Sequence, residues 1–306
     1  MVSLAQLQQT YQTDPTLEYL CQANLNLYDS SAFDRLSTQA VVGRQLRILA
    51  LPDEGIDSSA KTLEKTSPEQ PLEDEPGIKV RLCEDGYPGW MLLEDLETLT
   101  PAESSYQPQF IDPDAIQRRI PTVIQYAQRA MQQPNYYLWG GAVGPHYDCS
   151  GLVQAAFLAA NIWLPRDAYQ QEAVVEAIAL AEARPGDLLF FGRERTTHVG
   201  IYLGNGFYIH SSGKSIGRNG IGVDVIREPN SPEGSAASDD SIDSLDSVSR
   251  AYLVQFRSAG RVVSSYDPKA GSETTVESDD AILNGSRQRY TSVATAASSV
   301  IAKETP

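Results

Sequence analysis

A chain of 306 residues is long enough for about two domains with connecting material, at roughly 100–200 residues per domain. With 24 Lys and Arg against 40 Asp and Glu, its net charge of -16 excludes the clustered basic surface that nucleic acid or an anionic membrane requires. Small molecules or peptides are the partners left, and the 41% hydrophobic content supplies ordinary cores.

Taken in chain order, residues 1–14 show no basic stretch followed by an apolar one, and no run approaches the ~18 apolar residues of a spanning helix, so a cytoplasmic protein is expected. Between residues 17 and 99 the apolar runs are short, at 17–20, 41–51 and 78–82, and they read as strands. Gly, Asp and Pro punctuate them, as in Asp85-Gly86-Tyr87-Pro88-Gly89, which suits a small β-barrel over residues 1–100. Inside it, residues 52–77 are rich in Pro, Ser, Glu and Asp and lack aromatics, the composition of a disordered insertion.

Residues 101–113 read as a linker. After it, Ile116, Ile120, Val123, Ile124, Ala127 and Met131 recur at helical spacing and open a second domain over 114–258. An aromatic, glycine-rich segment at 136–144 runs into Asp148-Cys149-Ser150-Gly151, which opens a helix whose apolar stripe is Leu152, Val153, Ala156, Phe157 and Ala160, stopped by Pro165. Short aliphatic or aromatic runs at 187–191, 198–203 and 207–210 read as strands, with two more expected at 223–226 and 251–257. Residues 229–249 read as a flexible excursion and 259–306 as a disordered tail.

Cys21, Cys83 and Cys149 are odd in number and lack metal-like spacing, so neither a disulfide framework nor a zinc site is suggested. Cys21 and Cys83 read as core residues of the barrel, whereas Cys149 falls in the first turn of its helix, where unpaired backbone N–H groups favour a thiolate. Gly204-Asn205-Gly206 is a strong turn signal; a turn centred on Asn205 puts His210 opposite Gly200, with His198 its diagonal neighbour on the same sheet face. A register shifted by one residue would separate the two histidines. This is the logic of a nucleophile (Cys149), a base (His198) and a group that orients the base (His210), with the Cys149 amide as one oxyanion donor. Singly each residue has a bland reading: free cysteine is commonly a small buried hydrophobe, an isolated histidine is commonly structural, and Asp148 is equally an N-cap. The combination outweighs these, because two of only three histidines share a hairpin face downstream of a cysteine that opens a helix. His198 and His210 have no third ligand partner, so neither a metal nor a cofactor is expected.

Trp139-Gly140-Gly141, Asp148-Cys149-Ser150-Gly151, Leu164-Pro165-Arg166-Asp167, Arg184-Pro185-Gly186-Asp187-Leu188, His198-Val199-Gly200-Ile201-Tyr202 and Ile209-His210, in that order, resemble the NlpC-type cell-wall cysteine peptidases. The N-terminal region resembles the bacterial SH3-like domain that often precedes them. The resemblance implies an α+β fold, an SH3-like β-barrel followed by a papain-like peptidase domain, with Cys149, His198 and His210 in the catalytic positions. It further implies hydrolysis of the γ-D-glutamyl–diamino acid bond of murein tripeptides or tetrapeptides with a free N-terminal L-Ala, in cell-wall peptide recycling. Asp148, Ser150, Asp167 and, from the barrel, Tyr87 are the implied substrate-binding residues, Asp148 pairing with the free amine. Two other readings are an endopeptidase or amidase acting on intact peptidoglycan, and a non-catalytic wall-binding module. The choice between diaminopimelate and lysine is left open.

Overall fold

The computed structural model describes residues 2–52, 77–226, 246–270 and 282. It divides into two compact units, Met1–Tyr106 and Gln107–Pro306. The expected insertion lies, at 53–76, outside the described residues, as do 227–245 and nearly all of the chain after 270. Together the elements make a mixed α/β fold.

The first unit opens with α1 (Leu4–Thr13), which the sequence reading did not anticipate; Ser3 and Gln6 close a reciprocal capping box at its start and Leu7 is buried. Seven strands follow: β1 (Glu18–Cys21), β2 (Leu25–Tyr28), β3 (Leu36–Ala40), β4 (Gln45–Ala50), β5 (Gly77–Leu82), β6 (Pro88–Leu92) and β7 (Leu99–Pro101). β5 shows why they form: Ile78, Val80 and Leu82 are fully buried while Lys79 and Arg81 alternate with them toward the other face. The strands join in the order β3-β2-β6-β5-β4-β1-β7, every pairing antiparallel. β3 and β7 are edges, so where a small barrel was expected the strand pairing among the described residues makes an open sheet. Cys21 lies in its buried core, and Cys83 is half-buried.

The second unit begins with α2 (Pro113–Gln132), capped by Asp112, with Ile116, Ile120, Val123 and Ala127 as its buried stripe. Next come α3 (Cys149–Leu158), α4 (Ala168–Ala173) and β8 (Glu176–Ile178). They are followed by β9 (Leu188–Phe191), β10 (His198–Gly204), β11 (Phe207–Ser212), β12 (Gly220–Val225), α5 (Ser247–Leu253) and β13 (Phe256–Arg261). The six strands form one antiparallel sheet, β12-β11-β10-β9-β13-β8. It is covered on both faces: Leu188 and Phe190 of β9 point into the core shared with α2 and α3, Leu189 and Phe191 into a second core with Tyr252 of α5. This double burial makes β9 a continuous apolar run.

Three expectations are corrected. Residues 251–257 are not a strand: α5 runs to Leu253 and β13 starts only at Phe256, because Asp246 accepts from the Val248 and Ser249 amides and starts a helix that places Val248 and Tyr252, i and i+4, on one buried side. Residues 246–249, expected inside the excursion over 229–249, thus cap and start α5, and 229–245 lie outside the described residues. The tail expected to be disordered from 259 is ordered to 270: β13 extends to Arg261, Val262 is buried, and Trp163 exchanges hydrogen bonds with Ser265 and Tyr266.

Candidate active site

Cys149 is the first residue of α3, and Asp148 is its N-cap, accepting from the Gly151 amide at 2.7 Å. The helix can start so close to the preceding loop because residue 151 is glycine; a Cβ there would lie 2.0 Å from the Gly141 carbonyl oxygen. The Asp148 carboxylate also accepts from the Gly140 amide (2.9 Å), the Ser150 hydroxyl (3.3 Å) and, bidentately, the Arg166 guanidinium (2.6 and 3.1 Å). Arg166 is 1% exposed and donates to Ser150 Oγ as well, at 2.9 Å. Five donors fill a carboxylate that offers about four lone-pair sites. Arg166 thus pairs with the carboxylate that was expected to meet a substrate ammonium.

The thiol does not rest as thiolate. Burial pushes its pKa up to about 12, with the Asp148 charge adding to the rise, while the backbone N–H groups of Val199 and Ser150 and the charge of Arg166 oppose it. The helix N-terminus therefore helps but is outweighed by desolvation. Attack consequently needs a base at the moment of reaction, and the Val199 contact puts the sulfur beside the start of β10, where His198 is found.

His198 and His210 are both buried, on the sheet face that α5 covers. β10 and β11 pair Ile201 with Ile209, which sets His210 across from Gly200 and makes His198 its diagonal neighbour. His198 Nε2 and His210 Nδ1 are 2.6 Å apart. Burial lowers both pKa values, that of His198 well below the ordinary imidazole range with the neighbouring His210 lowering it further; for His210 the Asp224 carboxylate works against burial. Both shifts favour the neutral ring. The Tyr252 ring stacks on His198 at 4.2 Å between centroids and packs edgewise on His210, fixing the plane of each.

The remaining expected residues are placed as follows. Ser150 is buried between Asp148 and Arg166. Asp167 is buried as the N-cap of α4, in a capping box with Gln170. Tyr87 belongs to the first unit, its hydroxyl 3.5 Å from Ser37 Oγ. The third histidine of the chain, His146, was not among them; it accepts from the Tyr136 amide and stacks on that ring. Among the described residues no three His, Cys, Asp or Glu side chains are arranged to hold a metal ion.

Four contributors escaped the sequence reading. Arg166 stood in a quoted motif without a role. Tyr252 was placed in a strand. Tyr137, half-buried, feels the Cys149 charge, which raises its pKa after burial has done so. Asp224, within a run read as a strand, ends 2.6 Å from His210 Nε2; a lone acid in an otherwise apolar strand was the available signal.

A thiol at a helix start and two hydrogen-bonded imidazoles are the groups that a nucleophilic centre of the Cys–His kind uses. The chain matches the NlpC/P60 family over residues 134–232, which contain all of these groups except Tyr252. Over 101 residues it is 45% identical to the bifunctional muramidase/DL-endopeptidase CwlT of Bacillus subtilis (strain 168), covering 31% of this chain and 30% of that protein. The gamma-D-glutamyl-L-lysine dipeptidyl-peptidase of the same organism is 43% identical over 86 residues, 26% of this chain and 29% of that one. The probable endopeptidase p60 of Listeria monocytogenes is 41% identical over 91 residues, 29% and 18% respectively. The chain thus spans less than a third of each of these relatives. Among solved structures, an NlpC/P60 family protein from Bacillus cereus aligns over 84% of this chain and 66% of its own, at 19% identity and a TM-score of 0.35.

Proposed function

We propose that the chain is a cysteine peptidase that hydrolyses the γ-D-glutamyl–diamino acid bond of murein-derived tripeptides or tetrapeptides with a free N-terminal L-Ala, in cytoplasmic cell-wall peptide recycling. The observation that carries this reading is the buried His198–His210 pair, 2.6 Å apart, beside a thiol that opens a helix. In the reaction the Cys149 proton passes to His198 as sulfur attacks the γ-carbonyl carbon. The oxyanion is held by the Cys149 amide, and the C–N bond breaks as the His198 imidazolium protonates the leaving amine. Water, deprotonated by the same imidazole, then hydrolyses the thioester and releases L-Ala-γ-D-Glu.

The name of the 43% identical dipeptidyl-peptidase supports the γ-D-glutamyl bond as target. In this reading the first unit is an SH3-like module and Tyr87, Ser150, Asp167 and Asp148 are substrate contacts, Asp148 pairing with the free amine once Arg166 releases one of its oxygens. A second reading, an endopeptidase of intact peptidoglycan, draws support from the 45% identical relative, whose name includes DL-endopeptidase.

The test is incubation with L-Ala-γ-D-Glu-meso-diaminopimelate, its N-acetylated form and purified peptidoglycan, followed by mass analysis, with Cys149→Ala as control. Release of L-Ala-γ-D-Glu from the free peptide alone, lost in the variant, is the expected result. Equal cleavage of the acetylated peptide would remove the free-amine requirement, and cleavage of the polymer alone would favour the second reading. No Cys149-dependent cleavage of any of the three would overturn both.

A further inference from the structure

The line of buried polar groups does not stop at His210. β11 and β12 pair His210 with Gly222 and Tyr208 with Asp224, so Asp224 is diagonal to His210 just as His210 is to His198. His198, His210 and Asp224 therefore run diagonally across three adjacent strands, one strand over and two residues along at each step. Asp224 is 1% exposed, and its Oδ2 lies 2.6 Å from His210 Nε2. Its other oxygen receives Arg218, which is followed two residues later by β12, and approaches the Ser249 hydroxyl of α5 at 3.3 Å. That hydroxyl has one proton and a shorter contact, 2.9 Å, to Asp246, which leaves Arg218 as the donor that fixes Oδ1. Gly222 makes room for it: a Cβ there would lie 2.1 Å from Arg218 Nη1.

We propose that Asp224 is a positioning residue that sets the proton tautomer of both histidines, and that Arg218 sets the orientation of Asp224. The inference rests on the reading of Cys149, His198 and His210 as the reacting groups. An ionised carboxylate only accepts, so His210 must carry its proton on Nε2. In a neutral imidazole Nδ1 is then the acceptor, and across 2.6 Å it must receive the Nε2 proton of His198. The one nitrogen left bare is His198 Nδ1, the base for the thiol. Without a fixed acceptor at the far end, each ring would be free to turn its proton the other way, and a proton on His198 Nδ1 would block the transfer.

Arg218 sharpens the consequence for Asp224→Asn. A guanidinium cannot accept, so it holds the amide oxygen at the Oδ1 position and the amide NH2 is turned toward His210. His210 must then accept at Nε2, carry its proton on Nδ1, and force His198 to carry its proton on Nδ1 as well. The size and shape of the residue are unchanged while the base is switched off.

The experiment is two-dimensional 1H–15N NMR of the full chain labelled with 15N-histidine at pH 8, beside turnover of L-Ala-γ-D-Glu-meso-diaminopimelate. In the unmodified protein both His198 and His210 are expected as Nε2–H tautomers. In Asp224→Asn both are expected as Nδ1–H, with kcat lower by roughly a thousandfold or more, KM little changed and the thermal midpoint nearly kept. Adding Arg218→Met to Asp224→Asn lets the amide oxygen turn to His210 and is expected to restore part of the lost kcat. An Nδ1–H tautomer at His210 in the unmodified protein overturns the inference whether or not any variant folds. So does an Asp224→Asn protein with unchanged tautomers and kcat. Absence of Cys149-dependent turnover would instead sink the peptidase reading, and the spectra would still decide the role of Asp224.

Discussion

Helices α2 and α3 begin alike, each with an aspartate whose carboxylate accepts from the amide three residues on, yet the two caps do different work. Asp112 is exposed and makes that one contact at 2.9 Å, enough to end a row of unpaired amides. Asp148 makes the same contact and adds Gly140, Ser150 and both arms of a buried arginine. A helix needs only the first arrangement. The second fixes the residue that follows it, Cys149, and sets two opposite charges beside its sulfur, a surplus of constraint that the proposed nucleophile would use.

The largest effects expected are on that surplus. Asp148→Asn keeps a cap but leaves Arg166 charged and buried without its counter-ion, and Arg166→Met does the reverse to Asp148. Breaking one side of a buried pair costs about 3–5 kcal/mol, so both variants should show denaturation midpoints well below the parent. Their effects on the thiol should have opposite sign. The Asp148 charge raises the Cys149 pKa and the Arg166 charge lowers it. Iodoacetamide alkylation of Cys149, followed against pH, should therefore shift to lower pH in Asp148→Asn and to higher pH in Arg166→Met. A common shift, or none, would mean that the pair acts only as a structural clamp.

A second effect belongs to the histidines and has its own direction with pH. Both fold with pKa values lowered by burial, against an ordinary value of about 6.5 in the unfolded chain. Above that value neither state takes up a proton and stability from this source is level. As pH falls through 6.5 the unfolded chain binds protons that the folded one refuses, so stability is lost on acidification. Urea midpoints measured at pH 8, 6.5 and 5.5 should fall a little across the first interval and more across the second, and His198→Gln should reduce that fall; an equal fall in the variant would place the titration elsewhere.

What could be read beforehand follows the same division between local and cross-strand information. β9, β10 and β11 were visible because each holds a short aliphatic or aromatic run that is mostly buried, at 188–191, 199–203 and 207–209. Leu25–Tyr28, Leu36–Ala40 and Pro88–Leu92 were not, being short and interrupted by Asn, Ser, Thr, Gln, Pro or Gly. α1 was hidden by glutamines, since its signal lies in the Ser3–Gln6 cap and a single buried leucine. Residues 251–257 misled because the apolar run Ala-Tyr-Leu-Val suits either periodicity; what settled it was Asp246, outside the run. The diagonal between His198 and His210 follows from one tight turn, whereas Asp224 needs the register of a third strand and Arg166 a partner 18 residues earlier. The thiol pKa could not be reached at all, because the helix start is written locally and the burial that outweighs it is supplied by the whole unit.

The smallest expected effect completes the contrast between the two caps. Asp112→Ala removes one hydrogen bond from an exposed helix start and leaves no charge unpaired, so it should cost about 1 kcal/mol. It should leave alkylation of Cys149 at the parent rate at every pH, because neither the thiol nor its two flanking charges touches that end of α2. Asp148→Asn, chemically the milder substitution, should cost several times more and move the alkylation curve. If the two variants proved equally mild, Arg166 would have found another partner and Asp148 would be no more than a helix cap; if Asp112→Ala also moved the curve, the constraint on Cys149 would extend along α2 through the Ile116, Val123 and Leu152 core rather than stopping at the cap.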